Sequence, residues 1–164
     1  VGLDVAQKAA GVMHDAFGDR LKPSDLVRKV TGDGRLGRKN GKGFYLYQDG
    51  KKGEPDPGIY SLLGVKPQDE PDTKLIQDRL VYAMLNEAAM AYDDGVVRSA
   101  RDGDIGAIFG IGFPPFRGGP LRMIDDIGAA QVVKTLRGLE DAYGMRFRPA
   151  ERLVQMAERG EKFY

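Results

Sequence analysis

At 164 residues the chain can bury roughly two thirds of the surface it exposes when unfolded, enough for one substantial core or two small packed units. Its 25 Lys and Arg stand against 24 Asp and Glu, so a net charge of +1 supplies no field for gripping a phosphate backbone, and no nucleic-acid partner is expected. Cysteine is absent, which excludes a disulfide framework, a thiolate metal site and a cysteine nucleophile; no apolar run is long enough to span a membrane, and the start of the chain does not read as a signal peptide.

Residues Leu3–Phe17 are expected to form a helix, with Val5, Ala9, Val12, Met13, Ala16 and Phe17 at helical spacing as its inward face and Gly18 as its C-cap. Pro23 suits the first turn of a short helix that places Asp25 near its positive end. From Thr31 to Gly43, glycines at 32, 34, 37, 41 and 43 alternate with Arg35, Arg38, Lys39 and Lys42, a density that neither helix nor regular strand tolerates cheaply. Phe44–Tyr47 reads as a short extended element before a turn at Asp49-Gly50. Prolines at 55, 57, 67 and 71 mark a connector wrapped over the surface, with one turn of helix near Ile59.

Asp72 or Thr73 caps the most regular helix, whose broad apolar face holds Ile76, Leu80, Val81, Met84, Leu85, Ala88 and Tyr92. Short side chains at Ala88, Ala89 and Ala91 allow another helix to approach it closely. A short helix over Ile105–Phe109 follows, then a break at Gly110–Pro115 and a helix opened by Pro120. Beyond Gly128, the helix Ala129–Tyr143 turns Val132, Val133, Leu136, Leu139 and Tyr143 inward. Strand-like alternation is scarce, so the expected fold class is all-α.

One block occurs twice. DAFGDRLKPSD at 15–25 matches DAYGMRFRPAE at 141–151 at a constant offset of 126, with five identities and conservative exchanges between them. The same offset sets Gly2 on Gly128, and Phe44-Tyr45 is echoed by Phe163-Tyr164. Two related helical hairpins are expected. The second copy follows a long apolar helix and a Gly/Pro-rich stretch that the first does not show, so the expectation is a role inside a longer enzyme.

No complete catalytic constellation emerges. His14, the sole histidine, sits beside Asp15 on a helix, where adjacent side chains diverge, and reads as a boundary residue. GRLGRKNGKG lacks the order and the hydroxyl of a phosphate loop; it reads as a rigid basic turn against a neighbouring domain, although Arg38, Lys39 and Lys42 can hold an anion. Asn86-Glu87 and Asp93-Asp94 share a helix, and Asn86 reads as a pin between helices rather than a catalytic group. GDIGAIFGIGFPPFRGGP packs Phe109, Phe113 and Phe116 among glycines and prolines, giving either a packing elbow or the mouth of an apolar pocket.

VGLDVA, GRKNGKGFYLY, LNEA, RDGDIGAIFGIGFPPFRGGP and ERLVQMAERGEKFY, in this order across nearly the whole chain, resemble the C-terminal tandem domains of the alpha subunit of the bacterial fatty-acid oxidation complex. The mitochondrial trifunctional protein is similar. The resemblance implies a parent that fuses an enoyl-CoA hydratase/isomerase unit to an NAD-dependent 3-hydroxyacyl-CoA dehydrogenase, with a separate thiolase subunit as partner and a cytoplasmic location. It implies residues 1–49 as the end of a first helical domain, incomplete at its N-terminus, 50–71 as connector and 72–164 as the second helical domain. NAD is then expected outside this chain, on an upstream Rossmann domain. That family's catalytic His–Glu pair and substrate-orienting Asn have no matching positions, so no catalytic, cofactor-binding or metal-binding residue is expected here. Asn86-Glu87 stand as the second copy's version of an Asn-Glu opening. Phe109, just before Gly110-x-Gly112-Phe-Pro-Pro, occupies the place of an aromatic residue associated with substrate in those subunits and is the one expected substrate-binding residue. Some relatives carry Tyr there, and Phe keeps the apolar contact without the phenolic hydrogen bond. The competing reading is a non-enzymatic subunit-interaction module; a weaker one is an independent small-molecule-binding protein.

Overall fold

The computed structural model describes residues 2–67 and 70–164, which fall into two compact units, Val1–Pro71 and Asp72–Tyr164. Val1, where the first domain was expected to begin, and Gln68 and Asp69 of the expected connector lie outside the described residues.

The first unit contains α1 (Leu3–Phe17), a 3-10 turn at Gly18–Leu21, α2 (Asp25–Gly32), β1 (Tyr45–Gln48), β2 (Lys51–Pro55) and α3 (Gly58–Leu63). The strands form an antiparallel hairpin with Gln48 opposite Lys51 and Tyr47 opposite Lys52. Its turn is the Asp49-Gly50 pair, both at positive φ (51° and 72°), the geometry whose twist matches a two-residue hairpin. Residues 51–63, expected as connector, therefore contribute a strand and a six-residue helix to this unit. Pro23 does not enter α2: Ser24 is the N-cap, its Oγ accepting from the Leu26 amide, and Pro23 stands one residue before it. A proline there fixes the approach of the chain and leaves capping to a hydroxyl.

The expected inward face of α1 is a correction. The helix has no buried residue, and Val5, Val12, Met13 and Phe17 are all exposed. It leans on α2, where Gln7 accepts from the Thr31 hydroxyl, but among the described residues of this unit no long helix covers its apolar side. Among the described residues of this unit, only Val30 and Ile59 are buried hydrophobics.

The second unit is built from α4 (Thr73–Asp93), α5 (Ala100–Ile111), α6 (Pro120–Ile127), α7 (Ala129–Tyr143) and α8 (Glu151–Arg159), with 3-10 turns at Pro115–Arg117 and Met145–Phe147. Its core joins Leu85 and Ala89 of α4 to Leu121 and Ile124 of α6, Val132, Val133, Leu136 and Leu139 of α7, and Leu153 of α8. Tyr143, expected inward, is exposed at the end of α7, its ring edge-on to Phe147. On α4 the buried seam runs through Leu85, Asn86 and Ala89, whereas Ile76, Leu80 and Met84, expected inward, are exposed. Apolar residues extend around so much of α4 that periodicity alone does not say which edge meets the core. The short helix expected at Ile105–Phe109 is longer at both ends: Ser99 caps its start, its Oγ accepting from the Asp102 amide, and Gly112 in the left-handed conformation ends it after Ile111.

The duplication is structural as well as textual. Gly18 and Gly144 end α1 and α7 with positive φ; each is followed by a 3-10 turn and an extended residue before proline, Lys22 at φ −55°, ψ 121° and Arg148 at φ −55°, ψ 122°. An X-Pro step disfavours helical ψ at X, so both copies break and restart their helices at the same place. The all-α class holds, with the single hairpin as its only paired strands among the described residues.

Candidate functional site

Phe109, Phe113 and Phe116 do not share an environment. Phe113 is 6% exposed and belongs to the core, while Phe109 on α5 and Phe116 in the following 3-10 turn are 86% and 82% exposed. Ile105, one turn before Phe109, and Ile111 are open as well. The segment thus anchors itself through one ring and presents the others outward, a surface that can accept an apolar ligand or partner.

What holds this surface in shape is a carboxylate the sequence did not single out. Asp104, 2% exposed, lies on α5; its Oδ1 accepts from the Leu121 amide at 2.7 Å and its Oδ2 from the Arg122 amide at 3.1 Å and the Tyr164 hydroxyl at 2.8 Å. It therefore caps α6 from a neighbouring helix, placing negative charge at the positive end of the helix dipole. Gly119 makes this possible. It adopts φ 113°, and a Cβ there would lie 2.3 Å from the Asp104 side chain. Pro120, with no N–H, opens α6 without leaving a donor unmet. The Gly118-Gly119-Pro120 run is thereby explained by close approach and capping. A mid-helix Asp flanked by Gly103, followed by GGP, was the available signal; propensity alone reads it as a solvated residue.

Asp125 completes the arrangement from α6, accepting from the Phe163 amide at 2.9 Å and the Tyr164 amide at 3.0 Å. Phe163 meets Tyr92 edge-on at 5.3 Å, and the Arg122 guanidinium stands over the Tyr164 ring at 5.6 Å. Burial, and then the bond to Asp104, push the Tyr164 hydroxyl up to about 12.

Asn86 is the helix pin expected of it. Its Nδ2 donates to the Arg148 carbonyl and its Oδ1 accepts from the Ala150 amide, both at 2.8 Å, so one side chain satisfies the elbow between α7 and α8. Every polar atom of the amide that faces the elbow is used in packing. Asp94 ends α4 as its C-cap, and the described residues hold no cluster of three His, Cys, Asp or Glu fit for a metal. His14 faces Asp19 at 3.6 Å rather than Asp15.

In the first unit the basic turn is rigid for a reason composition did not reveal. Arg35, 3% exposed, donates from Nε to Asp33 at 2.8 Å and from Nη1 to Asp56 at 2.6 Å and the Gly43 carbonyl at 2.9 Å. Asn40 ties the turn again through the Leu36 amide and the Gly34 carbonyl. The Gly58 amide, then the Arg35 guanidinium, hold the Asp56 carboxyl below the usual carboxylate range. Of the candidate anion-binding cations, Lys39 is paired with both oxygens of Asp4 at 2.9 Å, leaving Arg38 and Lys42 on the exposed rim. An open groove of about 1030 Å³ lies beside this turn, lined by Leu3 and Ala6 of α1, by Phe44 and Tyr45, and by Ile59 and Leu63 of α3.

Residues 1–47 and 75–162 match the model of the family described as 3-hydroxyacyl-CoA dehydrogenase, C-terminal domain. The chain belongs to this family. In fold it is similar to the crystal structure of 3-hydroxybutyryl-CoA dehydrogenase from Escherichia coli K12, with a TM-score of 0.68 at 22% sequence identity over 96% of this chain. It spans about half, 49%, of that dehydrogenase's length.

Proposed function

We propose that the chain serves as the C-terminal helical part of a longer, NAD-dependent 3-hydroxyacyl-CoA dehydrogenase that also carries enoyl-CoA hydratase/isomerase activity in a cytoplasmic fatty-acid oxidation complex with a thiolase subunit. The observation that supports it is the family match, which runs through both units and leaves out residues 48–74, with β2, α3 and the start of α4, and residues 163–164. On this reading the chemistry of hydride transfer belongs to other parts of the polypeptide, and the present residues contribute packing, an interface and one wall of the acyl-CoA pocket. Phe109 is that wall. Its exposed ring, beside Ile105 and Phe116, offers apolar area to an acyl or pantetheine chain and no hydrogen-bond donor.

The test uses the full encoded polypeptide. It should form NADH from 3-hydroxyacyl-CoA, and Phe109→Ala should lower kcat/KM by the equivalent of about 1–3 kcal/mol, with Tm unchanged because the ring is not in the core. Unchanged kcat/KM for short and long substrates would leave Phe109 outside the pocket. A full polypeptide with no NADH formation would favour the non-enzymatic interaction module, a reading that the same outward rings, Phe109 and Phe116, also suit.

A further inference from the structure

Helix α5 is held by a charge more than by apolar burial. Of its twelve described residues only Ala100 and Asp104 are buried, with Ala107 and Ile108 partly buried against the core. Its main neighbour is α6, and Gly103 brings the two close: a Cβ there would lie 3.3 Å from the Leu121 side chain. The Asp104 carboxylate joins the two helices by accepting from the Leu121 and Arg122 amides, so residues 105–120 leave and return at one neck. Phe113 pins the middle of that excursion to the core, and Phe109 and Phe116 stand outward on either side of it.

The third donor to the neck comes from far along the chain. Tyr164 donates from its hydroxyl at 2.8 Å to the same Oδ2 that the Arg122 amide reaches at 3.1 Å. Its backbone is seated independently of this bond, because Asp125 of α6 accepts from the Phe163 and Tyr164 amides and Phe163 lies edge-on to Tyr92 of α4. The hydroxyl thus ties α5 to a platform built on α4 and α6. A buried carboxylate has given up its water and depends on each of its donors, so withdrawing the hydroxyl loosens the neck without unseating the segment that carries it. Phe109 lies beyond Asp104 on the same helix, roughly 7.5 Å along the axis, and a change of tilt at the neck moves its ring.

We propose that Tyr164 is a positioning residue for the acyl-CoA wall: its hydroxyl closes the Asp104 neck and so fixes where α5 presents Phe109 to the substrate. This rests on the reading above that Phe109 lines the acyl-CoA pocket.

Two measurements test it. In the isotopically labelled 164-residue chain, Tyr164→Phe keeps the ring and both amides that Asp125 holds; amide exchange from 105 to 111 should quicken about tenfold, the worth of one hydrogen bond to a charged group, while α7 stays protected. In the full polypeptide, Tyr164→Phe should raise KM for 3-hydroxyacyl-CoA about threefold to tenfold with kcat held, whereas a merely structural loss lowers kcat through the folded fraction and leaves KM alone. In a Phe109→Ala background the same substitution should raise KM no further, since the hydroxyl acts through that ring. Unaltered exchange at 105–111, a fall in kcat at constant KM, or additive effects of the two substitutions would overturn the proposal. A higher KM in Phe109→Ala with none in Tyr164→Phe defeats the positioning role alone. No effect of Phe109→Ala defeats the wall itself, and with it the reading on which the role rests.

Discussion

Three carboxylates and one amide do most of the connecting work in this chain. Asn86 is fully enclosed, and replacing it by Ala leaves the Ala150 amide buried without an acceptor, which should destabilise the second unit by about 1–3 kcal/mol in urea unfolding. Tyr164 gives a prediction in alkali. Its hydroxyl ionises at about 12 when folded against 10.0 for the free group, so its contribution is fully present below pH 10 and is lost as the pH rises toward 12. Stability measured across that range should fall more steeply for the native chain than for Tyr164→Phe; parallel curves would show the hydroxyl contributes nothing. Asp56 runs the opposite way. Held below its ordinary 3.8 by the Gly58 amide and Arg35, it stabilises the first unit above that value and ceases to do so as the pH falls below it, a loss that Asp56→Asn should show already at neutral pH.

Among the elements, α6 depends most on its surroundings. It is eight residues long, opens on proline and takes its cap from α5. Gly119→Ala forces a Cβ into the Asp104 side chain at a φ that L-residues avoid, and should cost about 2 kcal/mol or more, read as a lowered urea midpoint. The helices were legible in the sequence wherever apolar spacing and glycine punctuation agreed, as in α1, α6 and α7. The interior was not legible where one helix is apolar nearly all round. In α4 the polar Asn86, not the apolar Ile76 or Leu80, marks the buried edge, because only the fold supplies the two backbone groups that reward its burial. The same holds for Arg35 and Asp104: a charge is read as surface until its partners, 21 and 17 residues away, are in place. In the sequence Phe109 was one of three rings in a Gly/Pro-rich stretch, and only the family resemblance set it apart from Phe113 and Phe116; the structure adds that its ring is exposed.

For the molecule as a whole, burial is unequal. Among the described residues, fifteen of the seventeen buried hydrophobics, all but Val30 and Ile59, lie in the second unit. The first unit is held largely by the Arg35 cluster and the hairpin, with little apolar burial behind them. Local stability follows buried apolar area, so amide exchange should be orders of magnitude faster in residues 2–67 than in α4 and α7. Equal protection in both units would contradict this and would require a source of stability in the first unit beyond the bonds described.

The long sequence separations of these polar pairs also set a timetable for synthesis. Phe163 and Tyr164 bond to Asp125 and Asp104, 38 and 60 residues earlier, while Asn86 waits for Arg148 and Ala150, 62 and 64 residues later. A ribosome adds about 5–20 residues each second, so Asn86 waits several seconds for its partners, whereas Asp104 meets the Leu121 and Arg122 amides early and waits only for the Tyr164 hydroxyl. During that interval the Asn86 amide is better served by water than by an apolar core, so α4 is expected to pack fully only once Arg148 and Ala150 have emerged.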